Sequence, residues 1–276
     1  KSSADLGISM AAVGILWHQG YFKQNLWFQY GQFPEPVEWD PDHFPGLVPL
    51  KTRIKIQLLN ETVHLKLWKY YVYGFDKSHV IPLILLDANL PENTHKVSLL
   101  TAQLYRSDDV WLKIMQRVVL GIGGVQALQA LGYSVDLYHL NEGHAAFAFV
   151  EMAKGLDEKG LKDLQARFVY TCHTPVIAGH DRFDLDLAKN ILPQPYMDVL
   201  YRYAVEDHAR HIVNLTHLAI TACTRVNAVS QKHGEVMRVQ FPHFEKKIQA
   251  ITNGVHHPTW MTQPVAQLLE EFGKHI

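Results

Sequence analysis

Residues 138 to 147 read Tyr-His-Leu-Asn-Glu-Gly-His-Ala-Ala-Phe. They set an amide, a carboxylate, a glycine and an imidazole side by side at Asn141, Glu142, Gly143 and His144. Asn141 and Glu142 can read hydroxyls as donor and acceptor, and His144 can do either. Gly143 lets the backbone turn sharply or come close to a ligand. Two further stretches carry similar groups. One is Cys172-His173-Thr174-Pro175 with Gly179-His180-Asp181-Arg182-Phe183, and the other is Thr252-Asn253-Gly254-Val255-His256. A neutral polyhydroxyl ligand is what such groups would hold.

Each of the three stretches follows an apolar run that reads as a strand: Val135 to Leu140, Phe168 to Cys172, and Ile248 to Thr252. Helical segments alternate with them, at Ala145 to Ala153, Leu185 to Leu192, Met197 to Ala222 and Gln231 to Val239, with a further strand at Val226 to Ser230. Such alternation implies a parallel sheet covered by helices on both faces. In that sheet the three polar stretches leave the same edge, where open α/β sheets hold their ligands.

The first half is built differently. The opening residues read as a helix tail stopped at Gly7, and Ile8 to Leu16 as a strand buried on both faces. Residues 21 to 50, rich in proline and aromatics, read as a long ordered loop. Ile54, Ile56 and Leu58, then Val63, Leu65 and Leu67, alternate with polar residues, so an antiparallel hairpin is expected there, with Val80 to Leu86 as a third strand. Ser107 to Asp109 form a helix start, and the helix runs to Gly132. Gly121, Gly123 and Gly124 inside it do not follow a strand and lack the dinucleotide spacing, so they imply close helix packing or a local break.

Composition removes several function classes. The 276 residues have 47% hydrophobic content and a formal net charge of -1, with no basic block, so nucleic acid is not an expected partner. No apolar run is long enough for a membrane span. Two cysteines, Cys172 and Cys223, exclude a disulfide scaffold and fit a reducing, cytoplasmic compartment. The 17 histidines show no zinc-binding spacing; His208 with His211 and His139 with His144 are the nearest approaches to one.

The ordered motifs resemble the α-glucan phosphorylases, the glycogen and maltodextrin enzymes, on their short bacterial or archaeal branch. The match runs through Gln19-Gly20-Tyr21-Phe22, Leu120 to Gly124, Tyr138 to Phe147, His173-Thr174-Pro175, Ala178 to Phe183, His233 to Val236, Ile251 to His256 and Pro258-Thr259-Trp260. The resemblance implies a GT-B fold, of which residues 1 to 276 would be part of the N-terminal, Rossmann-like domain. It implies phosphorolysis of terminal α-1,4-glucosidic bonds to glucose 1-phosphate with retention, on glucan and inorganic phosphate. The implied cofactor is pyridoxal phosphate, held by a C-terminal domain outside this stretch. The fragment alone would be inactive, and a homo-oligomer is compatible with the family.

By the same resemblance His173 holds a hydroxyl of the transferred glucose with Thr174 beside it. Asn141, Glu142 and His144 line the cleft, and Asn253 and Gly254 lie near the crossing to the second domain. His180 and Asp181 read as a pair that fixes a loop, and Glu142 as a pocket or structural carboxylate. Two residues depart from the branch: Arg117 replaces an acidic residue at a helix contact, and Cys172 replaces threonine in the pocket wall. Two other functions fit the residues: a GT-B transferase that uses a sugar nucleotide, similar to glycogen synthase, and a non-catalytic glucan-binding module.

Overall fold

The computed structural model describes residues 1–104, 109–206 and 209–273. Two sheets organise it. In the first half, β1 (Ala12–Ile15), β4 (Val48–Gln57), β5 (Thr62–Tyr73) and β6 (Val80–Asp87) form a sheet in the order β1-β6-β5-β4. β1 runs parallel to β6, while β4-β5 and β5-β6 are antiparallel. The period-two alternation is visible in the result, because Val63, Leu65 and Leu67 of β5 are all fully buried.

The second sheet is wholly parallel. β7 (Tyr138–Asn141), β8 (Phe168–Cys172), β12 (Arg225–Ala228) and β13 (Ile248–Ala250) lie in the order β13-β12-β8-β7. The carboxyl ends of all four strands therefore share one edge, as the alternation implied. β9 (Arg182–Asp184), β10 (Val205–Glu206) and β11 (Ala209–Asn214) add a small antiparallel sheet in the order β10-β11-β9.

Two expectations give way. Residues 21 to 50 contain a hairpin, β2 (Lys23–Trp27) with β3 (Gly31–Glu35), and the start of β4. Both hairpin strands lie largely in solvent, so neither face had to be apolar and no alternation marked them. Met197 to Ala222 is not one helix. The chain leaves a helix at Tyr203, runs through β10 and β11, and re-enters a helix at Leu215. Asn214 caps that restart, accepting from the amides of Thr216 and His217 at 3.0 and 3.1 Å.

The helices, in chain order, are α1 (Ser2–Asp5), α2 (His95–Ser98), α3 (Val110–Val118), α4 (Gly124–Ala130), α5 (Phe147–Ala153), α6 (Glu158–Gln165), α7 (Leu185–Ile191), α8 (Gln194–Tyr203), α9 (Leu215–Ala222), α10 (Gln231–Gln240), α11 (His257–Trp260) and α12 (Gln263–Glu271). α3 and α4 are joined by a π-helical stretch, Val119–Gly123. This rod is the centre of the core. Its glycines are needed for contact: a Cβ on Gly121 would lie 2.5 Å from Cβ of Phe147 in α5, and one on Gly123 would lie 2.9 Å from Cδ1 of Leu65 in β5. The rod is thus clamped between α5 and the first sheet, and the close-packing reading of the glycines holds. The helix start at Ser107 and Asp108 lies outside the described residues; Asp109 caps α3, accepting from the Leu112 amide at 3.0 Å.

Candidate active site

β7 ends at Asn141, and the next amide, Glu142, still donates to Thr171 of β8 at 3.0 Å. There the backbone breaks away. Glu142 has φ 66° and ψ 168°, a conformation that L-residues rarely adopt. Gly143, where sequence reading put the sharp turn, has no positive φ. It packs against the start of α9, where a Cβ would lie 3.4 Å from the backbone of Leu215 and Thr216, an ordinary van der Waals contact.

The strained turn aims the Glu142 carboxylate across the sheet edge at the loop leaving β8. Oε1 accepts from the His173 amide at 2.5 Å and from the Thr174 hydroxyl at 2.9 Å. Oε2 accepts from the Gly143 amide at 3.2 Å and faces the Tyr170 hydroxyl at 3.5 Å. Two motifs separated by thirty residues in the chain are thereby joined through one carboxylate. The imidazole of His173 and the amide of Asn141 are exposed and carry no side-chain hydrogen bond within the described residues. Both are open to a ligand.

Beneath this edge runs a polar ladder. His139 of β7 meets the Thr171 hydroxyl at 2.7 Å, and that hydroxyl donates to Oδ1 of Asn227 in β12 at 2.6 Å. Thr171 spends its proton on Asn227, so His139 donates from Nε2. Burial, and next the neighbouring His173, hold the His139 pKa below the ordinary imidazole range.

His144 is positioned by a second carboxylate. Its Nδ1 lies 3.2 Å from Oδ2 of Asp181, which also takes Nε of Arg117 at 2.8 Å, while Oδ1 takes Nζ of Lys113 at 2.7 Å. Burial alone would raise the Asp181 pKa, but the hydrogen bond from His144 and the charge of Arg117 outweigh it and hold the carboxyl well below its usual range. An ionised Asp181 only accepts, so His144 carries a proton on Nδ1 and turns Nε2 away from Asp181. Lys113 and Arg117 are one helical turn apart on α3, which brings both to one acceptor.

His180 and Asp181 are not a pair. His180 bridges elsewhere, its Nδ1 3.0 Å from the Thr216 hydroxyl and its Nε2 2.9 Å from Oε1 of Gln240. Asp181 gathers cations, not loop amides. Arg117, the departure from the branch, therefore has a definite partner. The Cys172 side chain is fully buried, its thiol 3.7 Å from the Thr174 carbonyl, so it supports the loop from below and forms no open wall.

Asn253 and Gly254 stand apart. They follow β13, separated from β8 by β12, which places them about 10 Å from His173 at ordinary strand spacing. The Asn253 amide donates to Val229 at 3.0 Å, and nothing lies within 4 Å of a Cβ built on Gly254. The structure brings together Asn141, Glu142, His144, His173 and Thr174, and leaves these two on the far flank. Sequence reading missed Lys113, Tyr170 and the His139-Thr171-Asn227 ladder. Only the Lys113–Arg117 spacing was a readable signal, and it does not reveal Asp181 as the partner.

The body is mixed α/β, with polar groups gathered at the carboxyl ends of its parallel strands, an architecture consistent with a glycosyltransferase domain of the GT-B type. The comparisons agree: residues 43–254 match the family model described as the starch synthase catalytic domain, and the chain belongs to that family. Similar curated proteins are named as phosphorylases. Maltodextrin phosphorylase of Thermococcus litoralis is 33% identical over 99% of this chain and 34% of its own length. Glycogen phosphorylase of Mycobacterium tuberculosis is 31% identical over 98% of this chain and 35% of its own length. Glycogen phosphorylase of Aquifex aeolicus is 28% identical over 99% of this chain and 42% of its own length. The chain thus spans between a third and a half of the length of these relatives.

Proposed function

We propose that this chain is the glucose-holding portion of an α-glucan phosphorylase, part of its N-terminal domain. The complete enzyme would release glucose 1-phosphate from terminal α-1,4 linkages, with retention, using inorganic phosphate. The single observation that carries the reading is the Glu142 carboxylate. A residue held in a strained backbone conformation, bonded to both the His173 amide and the Thr174 hydroxyl, fixes two polar strand ends relative to each other. In this reading His173 is the catalytic-site residue that holds a hydroxyl of the transferred glucose. Asn141 and Nε2 of His144 face the same sugar, and Glu142 and Thr174 set the geometry. Asn253 and Gly254 would take part only from the flank, near the neighbouring domain.

Pyridoxal phosphate would supply a phosphate able to pass a proton to the attacking phosphate. The described residues of this edge do not fit as its seat. Lys113 and Arg117 both sit on Asp181, and Lys247 precedes β13 at the opposite edge, donating to the carbonyls of Ile220 and Thr221. The cofactor is therefore assigned to the remainder of the enzyme, and so is the phosphate substrate. A cytoplasmic homo-oligomer would suit such an enzyme. Among the described residues no helix is long and apolar enough to cross a membrane.

The starch synthase family match favours a second reading, transfer from a sugar nucleotide. One assay separates the two in the natural reading frame that contains this sequence. The expected result is glucose 1-phosphate released from maltoheptaose only when phosphate is present, cut at least a hundredfold by His173→Ala. Glucan extension from a nucleotide sugar, with no phosphate dependence, would replace phosphorolysis by synthesis.

A further inference from the structure

Behind the loop that carries His173, Thr174 and Asp181 lies a cavity of about 670 Å³. It belongs to neither the sugar-facing edge nor the Asp181 cluster. Phe241, Phe244 and Ile177 of the loop supply its apolar lining. The walls are already built of rings at edge-to-face angles. His180 meets Phe241 with centroids 5.4 Å apart at 68°, and His217 meets Phe244 at 5.4 Å and 69°. Such walls offer a slot for another flat ring.

The polar lining sets Arg182 and the histidines His180, His217 and His243 beside one carboxylate, Glu206. Arg182 lies 3.9 Å from the Glu206 carboxylate, beyond hydrogen-bond length, and its side chain is 43% exposed. Glu206 in turn already takes the Asn214 amide at 2.5 Å. A guanidinium has five N–H donors, and a carboxylate matches its fork. His243 also lines the space.

We propose that this cavity is a second ligand site, taking a small planar aromatic acid, and that its occupant acts on the His173–Asp181 loop. The ring lies against Phe244 and Ile177 and the carboxylate meets Arg182. The route to the loop is short. Gln240, on the cavity wall, donates to the Pro175 carbonyl at 2.8 Å and accepts from His180 at 2.9 Å. Pro175 follows Thr174, whose carbonyl is held by Nε2 of His233 at 3.1 Å. An occupant touching His180 and Gln240 therefore bears on the segment that orients Thr174. The binding claim is independent of which sugar reaction the edge performs.

The test uses the full protein expressed from the natural reading frame that contains this sequence, 1-naphthoate as probe, and amide chemical shifts. Saturable shifts are expected at Ile177, Gln240 and Phe244, extending to Thr174, with 1-naphthylmethylamine giving none at the same concentration. Val239 lines the mouth and is 82% exposed, so Val239→Glu should fold normally and weaken naphthoate at least tenfold. Equal binding of the amine, unchanged affinity in Val239→Glu, or shifts confined to the aromatic hairpin at residues 21–35 would overturn the site. Shifts at the cavity that stop short of Thr174 would overturn the coupling.

Discussion

At Glu142 the side chain and the backbone pull in opposite directions. The carboxylate satisfies the His173 amide and the Thr174 hydroxyl, while φ 66° with ψ 168° is a conformation that suits glycine. Strain of this kind costs about 1–3 kcal/mol, and hydrogen bonds to a charged group return about 1.5–3 kcal/mol each. Glu142→Ala keeps the strain and loses the bonds, so a loss of about 2–3 kcal/mol is expected. Glu142→Gly loses the same bonds but relieves the backbone, and should be the milder change although glycine normally destabilises an ordered segment. Urea denaturation of the two variants checks the order; Gly falling below Ala would show that the backbone is not strained. The cysteines pose a simpler question. Burial raises the Cys172 thiol to about 11 and Cys223 to about 12. The thiolate is the reactive form, so neither should react with a disulfide reagent at pH 8 in the folded chain, and both should react in denaturant. Rapid folded-state labelling of Cys172 would mean that the β8 end opens.

Among the elements, the rod from α3 to α4 does most to position the site, since it carries Lys113 and Arg117 and packs α5 behind His144. Gly121→Ala would set a methyl against the Phe147 and Ala148 backbone, where a Cβ has only 2.6 Å to the Ala148 nitrogen. Backbone cannot step aside as a flexible side chain can, so a cost at or above the upper end of about 1–3 kcal/mol is expected, read as a lower denaturation midpoint. The Asp181 cluster gives a pH signature. Its folded pKa is depressed below the unfolded value near 3.9, so its contribution is complete above that value and is lost as pH falls through the folded pKa. Wild type should lose stability progressively below about pH 4, and Asp181→Asn, already destabilised at pH 7, should lose less over the same interval. Identical slopes would mean that Asp181 is not the carboxylate that titrates. Much of this architecture was legible. Alternation marked β4 and β5, and apolar runs marked β6, β7, β8 and β12, the last three with their shared edge, because a half-buried strand alternates and a strand buried on both faces runs apolar. The hairpin of residues 23 to 35 imposed none, being exposed on both faces, and in the helix-strand-helix passage from α8 to α9 the strands are short and their charged stretch, residues 206 to 211, carries no glycine or proline to mark a break. The site was legible as residue types. The Asp181 hub was not, since its members come from α3, the α5 entry and the β8 loop, and only folding makes them neighbours.

Taken whole, the molecule is poorly covered for its mass. It exposes 16141 Å², whereas a folded monomer of 31.6 kDa is expected to expose about 12,000 Å². The excess is not spread evenly. Around β2 and β3, Tyr21, Leu26, Trp27, Phe28 and Tyr30 are each more than half exposed. Beyond β13, Ile251, Val255, Trp260, Leu268 and Phe272 are likewise exposed, and α12 has no buried residue at all. Exposed apolar side chains in this number promote association in water. The segment is nonetheless anchored, because His256 bonds Asp5 at 2.5 Å and Lys1 donates to Thr259 at 3.1 Å. It presents its face as a fixed surface, so burying that face needs no large ordering step. The isolated chain is therefore expected to associate as concentration rises from about 1 to 100 µM in sedimentation velocity. Trp260→Ser with Phe272→Ser should shift the distribution toward monomer at every concentration. Both side chains are more than 70% exposed, so the folded monomer should lose little by the change. If the double variant associates as wild type does, the aromatic hairpin is the face that drives assembly, and Trp27→Ser with Phe28→Ser becomes the pair that should abolish it.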